Sequence, residues 1–569
     1  MGCISSKHTT VTRAPSIVKY DSLQIQKDTS TQEQQNTRFI ENCMIVWFVD
    51  PAATPEKETV LAHLRHIVCT LRIYTDQDAC VTFMTNICEE KIFLIIPSGM
   101  NSFVERIRHL RQIEKIYIFD GRSNNINQEI FRLNLSTLCE QLRQDVELCE
   151  LDYINITATP PLTSNSDSTK QTAEFLYAQL MKELLCRFKL DDNVQNIFLN
   201  FCRQHYAHDN EQLSTIADFE QNYRPEKALV WLNRSCFISR MLHRAQRARE
   251  VDVLHKMGFF MKHMHIQISN VYEQIFALTQ NPVVVYRGKT MLNNEFEILV
   301  KNNCGGLLSC STFLITSVDK NVAMNFLRRR IATHADRIAI LFEIHADPMK
   351  HNTTSPFASL DNIDLNEESE NGKVCFTLSV IFRIESVAKT DEQSMNNMWT
   401  VKLTLIDDHD PHVHHLIEPL RSNDVYANPI FRLGKLHITM GDYDRAEEFY
   451  HKILADMSVL NRPHRLSLMQ KGLGSIFMYK GEHNKAIGHL HEALKVSLSY
   501  LPSDHPDLAS IYTMIGSCYS HMDNYVLALD NYKRAMQLMQ NNIQSVNQQS
   551  VDDLHSCIVH FSELLEHQK

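Results

Sequence analysis

The sequence predicts three folded parts in series behind a polar N-terminal segment. They are a small doubly wound α/β domain, an α+β domain that is helical first and antiparallel β-sheet afterwards, and an all-α helical repeat solenoid. Three observations predict them. Between residues 38 and 160, compact apolar runs alternate with stretches of helical period. Between 170 and 407, helix-period segments give way to β-branched and Ser/Thr-rich runs. After residue 423, one helical pattern returns at a near-constant interval. The length of 569 residues suits three or four domains at roughly 150 residues each.

Residues 1–37 lack apolar periodicity; TTVTRAPS and KDTSTQEQQNT have the composition of a flexible tether. The opening MGCISSK places Gly2 behind the initiator Met and Ser6 where N-myristoylation requires it, and Cys3 beside the glycine offers a thiol for palmitoylation. A single myristoyl chain holds a protein to a bilayer only marginally, so the second chain on Cys3 completes the expected anchor.

In the first domain, MIVWFVD (44–50), KIFLIIP (91–97) and KIYIFD (115–120) read as strands, with ETVLAHLRHIVCTL and SFVERIRHLRQIE as helices between them. Such alternation gives a parallel sheet covered by helices. Ligands of these sheets gather at the carboxyl ends of the strands, where Asp50 and Asp120 stand. No glycine-rich phosphate loop follows any strand, so a regulatory or protein-binding module is the expectation.

A polar break, TPPLTSNSDSTKQ (159–171), leads into the second domain, taken as 170–407. QTAEFLYAQLMKELLCRF, PEKALVWLNRSCFISRMLHRA and DVLHKMGFFMKHMHIQI carry apolar residues at three- and four-residue spacing. His255, His263 and His265 have no thiol or acid nearby in sequence and read as ordinary helix residues. NPVVVYRG then forms a strand ending at Arg287 and Gly288. CGGLLSCSTFLITS (304–317), the helix VDKNVAMNFL and the strands RIAILFEI, VCFTLSVIFRIESV and WTVKLTLID (399–407) complete the part.

Charge and cysteine usage narrow the function classes. Lys plus Arg number 57 against 67 Asp plus Glu, a net charge of −10, without the basic clustering of a nucleic-acid binder. None of the fifteen cysteines forms a Cys-x-x-Cys pair, which speaks against zinc ribbons and thioredoxin-like sites. Scattered thiols suit a reducing compartment. No apolar run nears the roughly 20 residues of a membrane span. The expectation is a cytoplasmic protein, anchored to the cytoplasmic face of a membrane by its acyl chains.

From about 215 to 407, a third of the chain, the order of these pieces resembles the arginine-specific mono-ADP-ribosyltransferases. YRPEKALVWLNRSCFISRML resembles the family's N-terminal helices, VVVYRG its first motif, GGLLSCSTFLITS its Ser-Thr-Ser motif, and VCFTLSVIFRIESV the strand behind its Glu-x-Glu motif. The resemblance implies a helical lobe plus a split β-sandwich, with NAD or NADP as substrate and no metal. It implies that Arg287 and Gly288 hold the dinucleotide phosphates, since a guanidinium fork matches phosphate oxygens. Ser311, Thr316 and Ser317 would surround the nicotinamide ribose. Glu370 would stabilise positive charge as the nicotinamide bond breaks, and Glu368 would orient the acceptor arginine. Two positions depart from the pattern. Ile315 replaces the first serine, and Lys373, after the inserted Asn371 and Gly372, stands before Val374 where a glutamate belongs.

The C-terminal part repeats. LGKLHITMGDYDRAEEFY, LGSIFMYKGEHNKAIGHL and IGSCYSHMDNYVLALDNY align without gaps on Gly434, Gly474 and Gly516, each followed twelve residues on by Ala446, Ala486 or Ala528. Small residues at both places let paired helices approach, which resembles tetratricopeptide repeats, in particular the long variety of kinesin light chains. Residues 423–545 would hold three units, 546–569 a capping helix, and 408–422, with His409, His412, His414 and His415, a solvated linker that binds no metal.

Two readings follow. In one, the chain transfers ADP-ribose from NAD to an arginine of a protein target recruited by the repeats. In the other, it is a degenerate NAD-binding scaffold whose repeats bind protein partners.

Overall fold

A computed structural model describes residues 41–49, 57–68, 70–87, 89–119, 135–162, 169–187, 193–207, 209–234, 236–276, 282–334, 336–348, 355–361, 372–392, 395–421, 429–454, 463–540 and 548–567. Gly2, Cys3, Asp50, Asp120, Glu368 and Glu370 lie outside them. The elements described below belong to one unit, Ile40–Lys569.

The first domain is built on β1 (Cys43–Phe48), β2 (Leu71–Tyr74), β3 (Lys91–Ile96) and β4 (Ile113–Ile118). All four are parallel, in the order β2-β1-β3-β4. Every residue of β1 is buried, as a strand covered on both faces requires. Around the sheet lie α1 (Lys57–Arg65), α2 (Gln77–Asn86), α3 (Asn101–Ile107) and α4 (Leu135–Asp152). Leu138, Leu142, Val146 and Cys149 put an apolar stripe of α4 onto β1 and β3 through Ile45, Trp47, Phe93 and Ile95. The strand β2 was not expected. Its LRIY lies at the sheet edge, half-exposed throughout, and so lacks an apolar run of its own.

The expected boundary at residue 160 is corrected. β5 (Ile156–Thr159) pairs antiparallel with β7 (Leu307–Cys310) and is the edge strand of the second sheet. Between the two strands come α5 (Thr169–Arg187), α6 (Val194–His205), α7 (Asn210–Asn222), α8 (Ala228–Asn233), α9 (Phe237–Arg247), α10 (Val251–Lys256), α11 (Gly258–Phe276), β6 (Val283–Leu292) and α12 (Asn293–Leu299). β8 (Leu314–Ser317), α13 (Lys320–Thr333), β9 (Arg337–Ala346), β10 (Phe357–Ser359), β11 (Lys373–Phe376), β12 (Val380–Glu392) and β13 (Met395–Ile406) follow. The order is β10-β11-β8-β6-β9-β13-β12-β7-β5, antiparallel except between β9 and β13. Only the pair Tyr286–Ser317 joins β6 to β8, so the sheet is nearly divided there. An aromatic core from α6 to α11, including Phe198, Phe219, Trp231, Phe237 and Phe260, packs on Phe313, Ala358 and Cys375 of the smaller part.

Two carboxylates share the dry contact between the first domain and the helices. Glu41 accepts from Tyr206 at 2.9 Å and faces Arg240; Glu150, on α4, accepts from Asn42 at 2.8 Å. Burial raises the Glu150 carboxyl to about 7, against the Asn42 hydrogen bond and the Arg240 charge, and Glu41 adds to the rise. A raised acid keeps its proton in the fold while the unfolded chain releases it, so stability falls as pH climbs from about 4.5 to about 7. Glu150→Gln is expected to flatten that slope, worth at most about 3 kcal/mol, and to melt above wild type at pH 8. An unchanged pH profile in thermal denaturation would remove Glu150 as its source.

The expected linker is corrected as well. α14 (Pro411–Arg421) fills most of it, capped where Asp410 accepts the His412 N–H at 2.9 Å, with His412 and Val413 buried. Three helix pairs follow: α15 (Pro429–Met440) with α16 (Tyr443–Leu454), α17 (Pro463–Tyr479) with α18 (His483–Ser497), and α19 (Asp507–His521) with α20 (Tyr525–Gln540). α21 (Gln548–His567) closes the stack. The repeated glycines serve close approach. A Cβ at Gly434 would lie 2.7 Å from the Tyr450 ring, at Gly474 2.7 Å from Leu490, and at Gly516 2.9 Å from the Tyr532 ring. Stacked rings join successive pairs: Tyr443 on Tyr479, His483 on His521, and Tyr525 on Phe561. Phe561 takes the place of Tyr479 and His521, so α21 sits as the first helix of a further repeat.

The first repeat belongs to the second domain's core. Leu433, Leu436, Met440 and Phe449 pack on Phe175, Leu176, Tyr177 and Leu180 of α5. Arg249 pairs with Asp442 at 2.9 Å and Glu174 at 3.3 Å, and Arg445 pairs with Glu89 of the first domain. A chain ending near residue 420 would uncover this face, at about 2 kcal/mol for each large apolar side chain exposed. It should melt several degrees lower or aggregate, whereas a chain ending near 460 keeps the first repeat and should not. Equal melting temperatures for the two would show that the first repeat is dispensable to the core.

Candidate functional site

β6 carries Arg287 to where the two parts of the sheet meet. Its Nη1 donates to the Ile315 carbonyl at 3.1 Å and its Nη2 to the Leu151 carbonyl; its Nε is buried without a hydrogen-bond partner among the described residues. The guanidinium carbon lies 5.9 Å from the Phe326 ring centroid. Burial lowers the Arg287 pKa to about 10, with the charge of Asp152 opposing. His243 on α9 is pulled down to about 4 by burial first and by Arg287 second, so a neutral imidazole faces the cation.

Gly288 serves packing. A Cβ there would come within 2.9 Å of both the Ala323 carbonyl and the Phe326 ring, and 3.0 Å of Leu327. Only a bare backbone lets α13 lie this close to β6. Gly288→Ala should therefore displace α13 and destabilise the fold by about 1–3 kcal/mol, an overpacking cost. Denaturant titration checks it, and a loss below about 0.5 kcal/mol would show that α13 moves freely.

On β8, Thr316 is buried with its hydroxyl donating to the Val374 carbonyl at 2.9 Å. Ser317 Oγ accepts the Asp319 N–H at 3.1 Å, while Asp319 accepts the Asn321 N–H at 2.8 Å and caps α13. Ser311, just after β7, gives its N–H and hydroxyl to the Asn155 carbonyl at 3.0 and 3.3 Å. Although β7 is remote from β6 in strand order, the charges of Lys289 and Arg287 act on Cys310 at its end. The Leu151 and Ile154 carbonyls, which lead into the edge strand β5, accept from Arg287 and Lys289 of β6.

The structure thus brings Arg287, Gly288, Thr316 and Ser317 onto adjoining strands and places Ser311 across from them. Lys373 pairs with Ser317 in the β8–β11 ladder. Gly372, before it, has φ of 87° and would put a Cβ 2.6 Å from Val318, so this position needs its glycine. His263 meets the Tyr223 hydroxyl and His265 that of Thr377, each as a helix residue with its own partner. Among the described residues no group of His, Cys, Asp and Glu could hold a metal ion, and no helix is long and apolar enough to cross a membrane.

Sequence reasoning missed the cluster behind the site. Asp152, the last residue of α4, accepts from the Thr290 N–H at 2.7 Å, from the Thr290 hydroxyl and from Arg330 at 3.1 Å, with Arg337 at 3.5 Å. Glu114 of β4 accepts from Arg330 at 2.6 Å and lies 2.7 Å from the His334 ring nitrogen. Burial alone would raise the Glu114 carboxyl, but the His334 hydrogen bond and the charges of Arg330 and Arg337 hold it well below the usual range. Lys289 donates to the Asp152 and Ile154 carbonyls at 3.0 and 2.9 Å.

Comparison with known proteins bears mainly on the C-terminal part. Tetratricopeptide repeat models match residues 427–455 and 465–541. No curated protein matches the chain. Among solved structures, BtubC (BKLC) from P. vanneervenii is similar at 19% identity and TM-score 0.23, over 26% of this chain and 61% of its own length. The Clostridium limosum C3 exoenzyme is similar at 13% identity and TM-score 0.24, over 37% of this chain and 94% of its own. A STAND protein with a tetratricopeptide repeat sensor from Pyrococcus horikoshii is similar at 9% identity and TM-score 0.22, over 92% of this chain and 78% of its own. Superposition this loose carries no argument about fold. The family models do: behind the mixed helical and sheet part, the chain ends in tetratricopeptide repeats.

Proposed function

We propose that the chain is a mono-ADP-ribosyltransferase that moves ADP-ribose from NAD, or NADP, to an arginine of a protein recruited by its repeats. Acyl chains on Gly2 and Cys3 would hold it at the cytoplasmic face of a membrane. The observation that supports the reading is Arg287, a guanidinium at a strand junction beside Thr316 and Ser317 with its Nε buried and unpartnered among the described residues. A fork of donors there suits a pyrophosphate. The sheet with its covering helical lobe is what the split sandwich of that family implies, and repeats of this class bind other proteins. In the reaction the bond between nicotinamide and the ribose C1 breaks, the pair of electrons leaving with nicotinamide. A guanidine nitrogen of the target bonds to C1 and gives up a proton, with Glu370 stabilising the charge that develops on the ribose.

The second reading, a scaffold that holds the dinucleotide without cleaving it, is favoured by Lys373. This cation sits opposite Ser317, where transfer calls for a carboxylate.

Labelled NAD and an arginine-bearing acceptor separate the two. Arg287→Ala should weaken NAD by about 2 kcal/mol or more in either case. For a transferase, Glu370→Gln should leave binding nearly unchanged and cut label transfer about a hundredfold. For a scaffold, wild type binds NAD and transfers nothing, and Ile315→Ser with Lys373→Glu should raise cleavage above background. Transfer that survives Glu370→Gln, with no gain from the double variant, would place the catalytic acid elsewhere.

A further inference from the structure

The end of α4 and the turn into β5 hold two of the residues assigned to the dinucleotide. The Leu151 carbonyl accepts from Arg287, and the Asn155 carbonyl accepts both the N–H and the hydroxyl of Ser311. Between these ends, the Asp152 and Ile154 carbonyls accept from Lys289, and the Asp152 carboxylate is fixed by Thr290 and Arg330. The carbonyls that end a helix carry partial negative charge, so α4 presents to Arg287 a weaker version of what a phosphate oxygen presents. The segment is also held at both ends. α4 is packed into the first domain's core, and β5 is paired with β7.

We infer that Leu151–Asn155 is an intramolecular strap that competes with the dinucleotide for Arg287 and Ser311, so that the first domain, through α4, controls access to the site. The inference rests on the dinucleotide reading of Arg287. A strap closed in nine molecules of ten weakens apparent affinity about tenfold, because only the open fraction binds. The first domain has the means to shift that fraction. Glu114 on β4 and Asp152 at the end of α4 hold the same Arg330 side chain, so a displacement of one is felt by the other.

Lys289 ties the strap down without being assigned to the dinucleotide, so Lys289→Met in the full chain is the test. Two readouts are needed. Equilibrium binding of labelled NAD should tighten about tenfold. Modification of Arg287 by phenylglyoxal, followed by peptide mass, should speed up in the same variant with no NAD present. Lys289→Arg, which keeps donors for both carbonyls, should behave as wild type. Thr290→Val, which removes one bond to Asp152 and keeps the β-branched shape, should act in the same direction as Lys289→Met and serves if the latter fails to fold. NAD that binds wild type and Lys289→Met equally, with Arg287 no more reactive, overturns the strap. A more reactive Arg287 in protein that binds no NAD in any form overturns the dinucleotide reading instead, and with it any competition.

Discussion

A charge removed from water must be paired where it lies, and the pairing of Asp152 and Glu114 sets the geometry of the central part of the molecule. These carboxylates meet Arg330, Arg337 and His334 in a contact nearly closed to solvent. Removing one member of such a cluster typically costs about 3–5 kcal/mol, because the others are left charged and dry. Since Asp152 ends α4 and Arg330 lies on α13, the cluster couples any shift of the first domain to β6 and α13. The position of the Leu151 carbonyl on Arg287, and the entry of β5 into the second sheet, are consequences of that constraint.

A parallel constraint fixes the other end. The first repeat shares a core with α5, and its Asp442 and Arg445 are tied to Arg249 and to Glu89. The later repeats are related to the first by contacts that recur: glycine against a bulky side chain within each pair, ring on ring between pairs. Nearest-neighbour contacts of this kind carry the stack from one repeat to the next.

What could be read in the sequence follows the range of the interactions. β1, β3 and β6 are apolar runs long enough to announce themselves, and the repeats are legible because their defining contacts lie within about forty residues, visible as the return of Gly434 at Gly474 and Gly516. β2 and β5 are four-residue strands at sheet edges, and β5 adjoins the polar break, so neither carries a periodic signal. The His409–His415 tract looked solvated because its cap and its buried His412 depend on Asp410 and on contacts made elsewhere in the chain. The cluster at the site was invisible for the same reason: Asp152 is 138 residues from Thr290 and 178 from Arg330. Arg287 and its neighbours on β8 stood out only through resemblance, since an arginine read at a strand end is ordinarily a surface residue; the strand in fact runs on to Leu292.

The two departures from the family pattern differ in physical weight. Side chains alternate along a strand, and Ile315 turns its own into the aromatic core of the helical lobe while its carbonyl accepts from Arg287. The contact with Arg287 is made by backbone, so any residue on β8 could supply it, and isoleucine in place of serine adds apolar packing without disturbing the grip. Lys373 is different, because charge acts through space wherever the side chain points within the site. A cation at this position attracts a bound anion equally in the ground state and the transition state, which tightens binding without accelerating cleavage. The same cation opposes an oxocarbenium-like ribose, whose charge exists only at the transition state. On the proposed reading, a lysine at this position would favour holding the ligand over cleaving it, and a carboxylate from the insertion before it, such as Glu370, would have to outweigh the lysine at the ribose.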